Sequence, residues 1–540
     1  MISALDRAFL YWHTIRHLRP HQVYGRILFH AWTPSVDLRP APTRRRVVGP
    51  WVMPAARDPR MTGPSTLLLL ALERDISRNG WCPADVDLLW HYNAHYFDDL
   101  NARDAAARAH WHGPLIMRWL DEVDPGSRPG WDPYPLSTRV VNWIKFALRG
   151  GELPRAAIDS LAAQARWLTR RVEWHLEGNH LWLNGKALMF CGMFFEGEEA
   201  DRWRRLGERI IARELREQVM ADGGHFERSP MYHSLVLEDA LDLVNASRAF
   251  GVEGAPTVKA VASQIDPMRR WLATMTHPDG GISFFNDSAF GVAPAPVEID
   301  RYAHRLGFPA AEAPRVGVTH LEHSGYLRVQ REAAVLLMDV GEIGPDHCPA
   351  HAHADTLSLE VSLDGRRFLV NSGTSCYGTS PERLRQRGTR AHNTVSIGAL
   401  DSSEVWGSFR VARRARPRGL GIEVRDASCA VTCSHDGYSS LRPSVLVSRS
   451  MTLDDGGLSV VDSAAPGQPL VAWWHLHPSV RGRAPGTLEV GGRGVRCDVI
   501  NADAQMVDDS WHPEFGVALP APCIRVDAPS GSCTSAFRWV

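Results

Sequence analysis

The sequence predicts a multidomain α+β protein in which a helical half precedes an antiparallel β half. Three observations carry this expectation. From about Trp81 to His277 apolar residues recur at i, i+3, i+4 and i+7, as in 161–176, 205–220, 233–250 and 258–275. After about Gly317 the texture changes to short alternating runs such as YLRVQ, LSLEVSL, NTVSIG and VLVSRSMTL, broken by Gly, Asp, Ser and Pro. The chain has 540 residues, beyond the about 100–200 of one ordinary domain, and its 44% hydrophobic and 22% charged residues match a folded globular protein.

The elements follow in order. The first 60 residues read as a leading arm, an amphipathic helix followed by a basic segment that includes PAPTRRR. Arg and His interrupt its apolar residues too often for a signal-peptide core, so a cytoplasmic location is the default, with periplasmic or secreted placement left open. The run Leu67 to Leu72 is too short to span a bilayer. Residues 61–300 form the expected helical domain, whose serial hairpins suit a bundle, a solenoid or a closed α/α toroid, although no fixed-length repeat is visible. Pro294 to Pro314 reads as a linker, and 315–540 as an all-β domain of sandwich type.

Lys+Arg 60 against Asp+Glu 61 leaves a formal net charge of -1, so no global field draws the chain to nucleic acid or a membrane, and any anionic partner must be met locally. Lysine occurs only at Lys145, Lys186 and Lys259, which leaves Arg, whose fork suits carboxylates and sulfates, as the main cation. The nine cysteines form no CxxC pair, which removes zinc-ribbon and thioredoxin-type readings. Nothing matches GxSxG, a P-loop, a Rossmann turn or HExxH.

Four stretches are denser in polar and aromatic groups than core packing requires. In EGNHLWLNGKAL, Asn179 and His180 follow a glycine at an expected helix start, where Asn is a good N-cap. In DGGHFERSPMYH, Ser229 caps and Pro230 opens a helix, which puts Tyr232 and His233 in the first turn at the positive end of the macrodipole, after His225 and Arg228. In DHCPAHAHAD, His351 and His353 share one side of an extended chain, a pattern suited to metal ligation or proton transfer, with Asp355 and Asn371 as further polar candidates. In RQRGTRAHNTVSI, His392 and Asn393 open a strand, flanked by Arg387, Arg390 and, further on, Trp406.

Taken together and in order, HYNAHYFDDLNA, WDPYPLSTRVVNWIKF, GNHLWLNGKAL, DGGHFERSPMYH, HAHADTLSLEV, AHNTVSI and WGSFRVARRAR resemble the heparinase II/III family of polysaccharide lyases. The resemblance implies an incomplete (α/α) toroid followed by an antiparallel β-sandwich, and β-elimination on an anionic uronic-acid polysaccharide such as a glycosaminoglycan. It implies that Asn179 neutralises the uronate carboxylate, that Tyr232 shuttles a proton, and that His351 is its partner base. Nearby Arg and His are then expected to stabilise a Tyr232 phenolate. Tyr92, Asn93, Tyr96, Arg139, Asn142 and Trp143 are expected to bind sugar rings and acid groups, together with His180, His225, Arg228, His233, Arg390 and Trp406. The resemblance also implies a divalent metal, zinc or similar, at His353 and His392, where Asn371 replaces the usual carboxylate ligand. Two other readings stand beside the lyase: a non-catalytic polysaccharide-binding or biosynthesis-associated protein, and a hydrolase using Glu227 and Asp222.

Overall fold

The computed structural model describes residues 4–540. Helices Ala4–Ile15 and Pro20–Ala31 lead an extended arm that reaches a small antiparallel meander of Met61–Gly63, Thr66–Leu69 and Leu72–Asp75, which absorbs the Leu67 to Leu72 run. The toroid follows, with its long helices at Ala109–Glu122, Pro133–Leu148, Arg155–Arg171, Gly178–Phe194, Glu198–Gln218, Pro230–Ala249 and Pro256–Thr274. Gly178–Phe194 is its central helix. Every residue of it but His180 is buried, so it is enclosed on all sides and packs against four neighbouring helices. The approach to Glu198–Gln218 depends on small residues: a Cβ on Gly207 would stand 2.7 Å from the Gly185 carbonyl oxygen and 2.8 Å from the Met189 nitrogen.

Two of the three lysines lie inside this toroid. Lys186 Nζ reaches Asp242 Oδ2 at 2.7 Å and Asp239 Oδ1 at 2.5 Å, and Lys145 Nζ meets the same Asp242 oxygen at 2.9 Å. Arg57 closes the cluster on Glu238. The expected linker is itself structured, because Pro296–Arg305 is a helix that buries Ile299, Tyr302 and Ala303, with the Tyr302 hydroxyl donating to Asp242 at 3.0 Å. Its Pro content marks the helix start rather than a structureless connection.

The β half holds three larger antiparallel sheets and a two-stranded ribbon of Val405–Trp406 and Arg410–Val411. Gly317–Leu321, Tyr326–Gln330, Ala334–Asp339, Leu359–Leu363 and Arg366–Leu369 pair in chain order, and sheets of eight and four strands follow. In Val445–Asp454 buried and more exposed positions alternate with the period of two expected for a half-covered strand. Ala334–Asp339 is buried throughout, because Leu336 and Met338 face the sandwich core while Leu337 packs with Trp271 and Met275 of the toroid. The first sheet is therefore clamped between both halves. The segments leaving it, 340–358 and 370–394, the second containing the helix Pro381–Arg387, carry the histidine motifs to the junction.

Candidate active site

The site assembles where the helical and β halves meet. Ser229 accepts from Tyr232 N at 3.1 Å, the cap expected from the sequence, and fixes Tyr232 in the first turn of Pro230–Ala249. The Tyr232 ring lies flat on His351, with centroids 3.8 Å apart and an interplanar angle of 11°. His351 Nδ1 donates to the Glu227 carboxylate, which turns Nε2 away from this pair, where it has no protein partner among the described residues.

Glu227 also accepts from Asn179 N at 3.1 Å and from Asn179 Nδ2 at 3.3 Å. This contact requires a sharp turn, supplied by Glu177 and Gly178 at φ 58° and 57°; a Cβ on Gly178 would lie 2.6 Å from Glu227 Oε1. Asn179 is thus not the N-cap. It stands inside the first turn of its helix and turns its amide toward the site. Burial disfavours the Glu227 charge, yet His351 and the Asn179 backbone hold its carboxyl down to about 2.

On the other side of the ring, the Tyr232 and Tyr377 hydroxyls share a hydrogen bond of 2.8 Å. Arg383 stacks 4.8 Å over Tyr377, but its charge is taken by a bidentate pair with Asp287, with Nη2 to Oδ2 at 2.7 Å. Burial, with Tyr377 adding to it, pushes the Tyr232 phenol well above its ordinary value. Burial therefore outweighs the expected stabilisation of a phenolate by nearby Arg and His and favours the protonated phenol at neutral pH. Across the site, His180 packs 4.5 Å from the Tyr134 ring, and its Nδ1 stands 3.2 Å from Glu173 Oε1. Burial opposes the imidazolium, but Glu173 outweighs it and raises the His180 pKa.

Residues 156–304 match the family description "Heparinase II/III N-terminus", and residues 313–536 match "Heparinase II/III-like, C-terminal". The chain belongs to the heparinase II/III family. It is 24% identical to the heparin-sulfate lyase of Pedobacter heparinus over 44% of this chain and 38% of that one. It is likewise 24% identical to the heparin-sulfate lyase of Bacteroides thetaiotaomicron, over 55% and 47% respectively. The chain thus spans less than half the length of these lyases. FtsZ-localized protein C of Caulobacter vibrioides is 25% identical over 68% of this chain and 65% of its own. In fold, the crystal structure of heparinase III covers 86% of this chain and 80% of its own, with a TM-score of 0.70 at 15% identity. The heparan sulfate lyase HepC from Pedobacter heparinus covers 96% and 87%, with a TM-score of 0.58 at 18% identity. The toroid followed by a β-sandwich is therefore the heparinase II/III architecture.

Several residues expected to bind substrate lie elsewhere. Arg139 is fully buried, donating to Gln164 Oε1 at 3.0 Å and stacked 4.0 Å over Trp119, and Trp143 is fully buried against Phe97 and Trp119. Asn142 donates to Tyr96 O at 2.9 Å and Asp98 Oδ1 at 2.8 Å. These three are packing groups. His225 and His233 are buried pillars, bonded at 2.9 Å to Gln218 Oε1 and Met268 O, and burial pushes them down to about 4 and about 3. Arg228 turns away to the Glu342 carbonyl, and Arg390 stacks 5.0 Å over Trp473 on the four-stranded sheet. Trp406 donates to Thr14 Oγ1 at 3.0 Å and so anchors the leading helix. Asn93 donates to Leu89 O at 2.8 Å within its own helix. Tyr92, bonded to Asp132 Oδ2 at 2.8 Å, and Tyr96, 6.1 Å from the Tyr134 ring, lie beside the Tyr134 and His180 wall.

Sequence reasoning missed Tyr377, Arg383, Asp287 and Tyr134. Tyr134 lies inside a motif it had singled out, whereas Tyr377 and Asp287 come from loops with no periodic signal. The metal expectation fares poorly by donor chemistry. His353 Nδ1 and His392 Nε2 face each other at 3.0 Å, but their other nitrogens meet Asp287 Oδ1 and Gly388 O, each at 2.8 Å. Asn371 Oδ1 instead accepts from Asn393 N at 3.1 Å. Two imidazoles without a carboxylate fall short of the three or four protein ligands that hold zinc, so these residues do not fit the implied metal.

Proposed function

We propose that this chain is a lyase that cleaves uronic-acid polysaccharides, glycosaminoglycans such as heparan sulfate, hyaluronan or chondroitin among them, by β-elimination to unsaturated uronate ends. The observation that carries the reading is the buried Glu227–His351 pair stacked on a protonated Tyr232 beside Asn179. The names of the relatives support it. The uronate C5 proton is α to a carboxylate, so its removal builds negative charge that must be neutralised as it forms. The second Asn179 Nδ2 hydrogen, left over from the bond to Glu227, would donate to that carboxylate. His351 Nε2, its tautomer fixed by Glu227, takes the C5 proton; the C4–C5 double bond forms as the C4–O4 bond breaks, and Tyr232 delivers its hydroxyl proton to O4. The proton held by His351 then returns through solvent to the Tyr232 phenolate.

The test is incubation with heparan sulfate, hyaluronan, chondroitin and alginate while following the ultraviolet absorbance of unsaturated uronate. Absorbance should grow with at least one polymer, and its absence with all four sinks the reading. A non-catalytic polysaccharide-binding role is the second reading. It draws on the likeness to FtsZ-localized protein C, a relative named for localisation rather than cleavage. Polymer binding without new absorbance would select it. The hydrolase reading loses its pair, since Asp222 is committed to Ser324 N at 2.7 Å and Gly224 N at 3.0 Å.

A further inference from the structure

The two helices that lead the chain turn their apolar stripes to solvent. In Ala4–Ile15 the outward positions include Phe9, Trp12 and Ile15; in Pro20–Ala31 they are Tyr24, Ile27 and Leu28, continuing into Trp32. Phe9, Trp12, Ile27 and Leu28 are 63%, 64%, 64% and 61% exposed. An amphipathic helix packed for stability alone buries this stripe. Here the inward side is carried by a few aromatic and polar contacts instead, with Tyr11 4.8 Å from the Trp406 ring and Phe29 4.5 Å from the His175 ring. Gln22 donates to His347 O at 3.0 Å, His21 meets Glu177 at 2.8 Å, and Thr14 accepts from Trp406. Scattered exposed apolar residues are ordinary, but a contiguous set at helical spacing marks an interaction surface.

The charge pattern identifies the partner. From Arg7 to Trp32 the sequence has four Arg and no Asp or Glu. Arg19 is used by Glu177 and Glu217, while Arg7, Arg16 and Arg26 make no ion pair among the described residues. Large aliphatic and aromatic side chains interspersed with unpaired cations suit a helix lying in the interface of an anionic bilayer. No helix among the described residues is long and apolar enough to cross a membrane, so this contact lies on the surface.

We propose that Ala4–Ile15 and Pro20–Ala31 form a peripheral binding surface for an anionic lipid bilayer. The near-neutral whole-chain charge hides this local field, and the outward side chains take no part in the contacts that join these helices to the toroid. The experiment is co-sedimentation with vesicles of phosphatidylcholine alone and of phosphatidylcholine and phosphatidylglycerol in equal parts, at low and high salt. The protein should pellet with the anionic vesicles, weakly with the neutral ones, and less at high salt. The double variants Ile27→Glu/Leu28→Glu and Arg16→Glu/Arg26→Glu should each lower binding about tenfold or more, with circular dichroism and melting temperature unchanged because these side chains are exposed. Tyr232→Phe should bind vesicles as the parent does, which separates this proposal from the lyase reading. A parent that stays in the supernatant, or Glu variants that still pellet, would overturn it. So would a dimer by light scattering that Ile27→Glu/Leu28→Glu converts to monomer, which would assign the face to a second copy.

Discussion

At the scale of single residues, Tyr232 and Glu227 show how burial assigns chemical roles. Both are enclosed, yet one is kept protonated and the other ionised, because Tyr232 faces another phenol while Glu227 faces an imidazole and amide donors. If Tyr232 protonates O4, Tyr232→Phe removes one hydroxyl and no packing surface. Turnover should fall by about 10²–10⁴-fold, while oligosaccharide binding measured by calorimetry stays close to the parent. Near-parental turnover would move the acid role elsewhere.

At the scale of elements, the site depends on how closely two toroid helices approach. Gly185 and Gly207 let Gly178–Phe194 and Glu198–Gln218 touch backbone to backbone, and Gly178–Phe194 carries Asn179 in its first turn. Gly207→Ala places a methyl against the Gly185 carbonyl and the Met189 nitrogen, neither of which can rotate aside. It should cost about 1–3 kcal/mol, read as a lower urea midpoint. An unchanged midpoint would show that the helices separate freely. The same elements explain the misplaced substrate binders. Helical periodicity identifies a buried face, but in a toroid whose central helix is buried all round it does not separate a core-facing Trp143 from a cleft-facing Tyr134. That distinction belongs to the crossing of helices.

For the whole molecule, the histidine surplus becomes a source of acid sensitivity. His225, His233 and His435 are fully buried, and burial lowers them from 6.5 to about 4, about 3 and about 4. Below pH 6.5 the unfolded chain takes up protons that the fold refuses, so stability falls as pH drops toward 4, by up to about 1.4 kcal/mol per pH unit for each group. Glu227, held at about 2 against an ordinary 4.5, adds stability that is present above 4.5 and lost as pH falls toward 2. Calorimetric melting temperature should therefore decline steadily once pH passes below about 6.5, and a flat profile to pH 5 would contradict it. By itself the sequence determined the order of helical and β halves, the Ser229–Pro230 helix start that holds Tyr232, and the collinear motifs of the family, because periodicity and capping are local in the chain. Only the tertiary structure decided that His351 meets Glu227 across 124 positions, that Tyr377 and not an arginine faces Tyr232, and that the leading helices leave their apolar faces uncovered. Those pairings join distant segments at a domain junction, and local spacing carries no information about which faces will meet there.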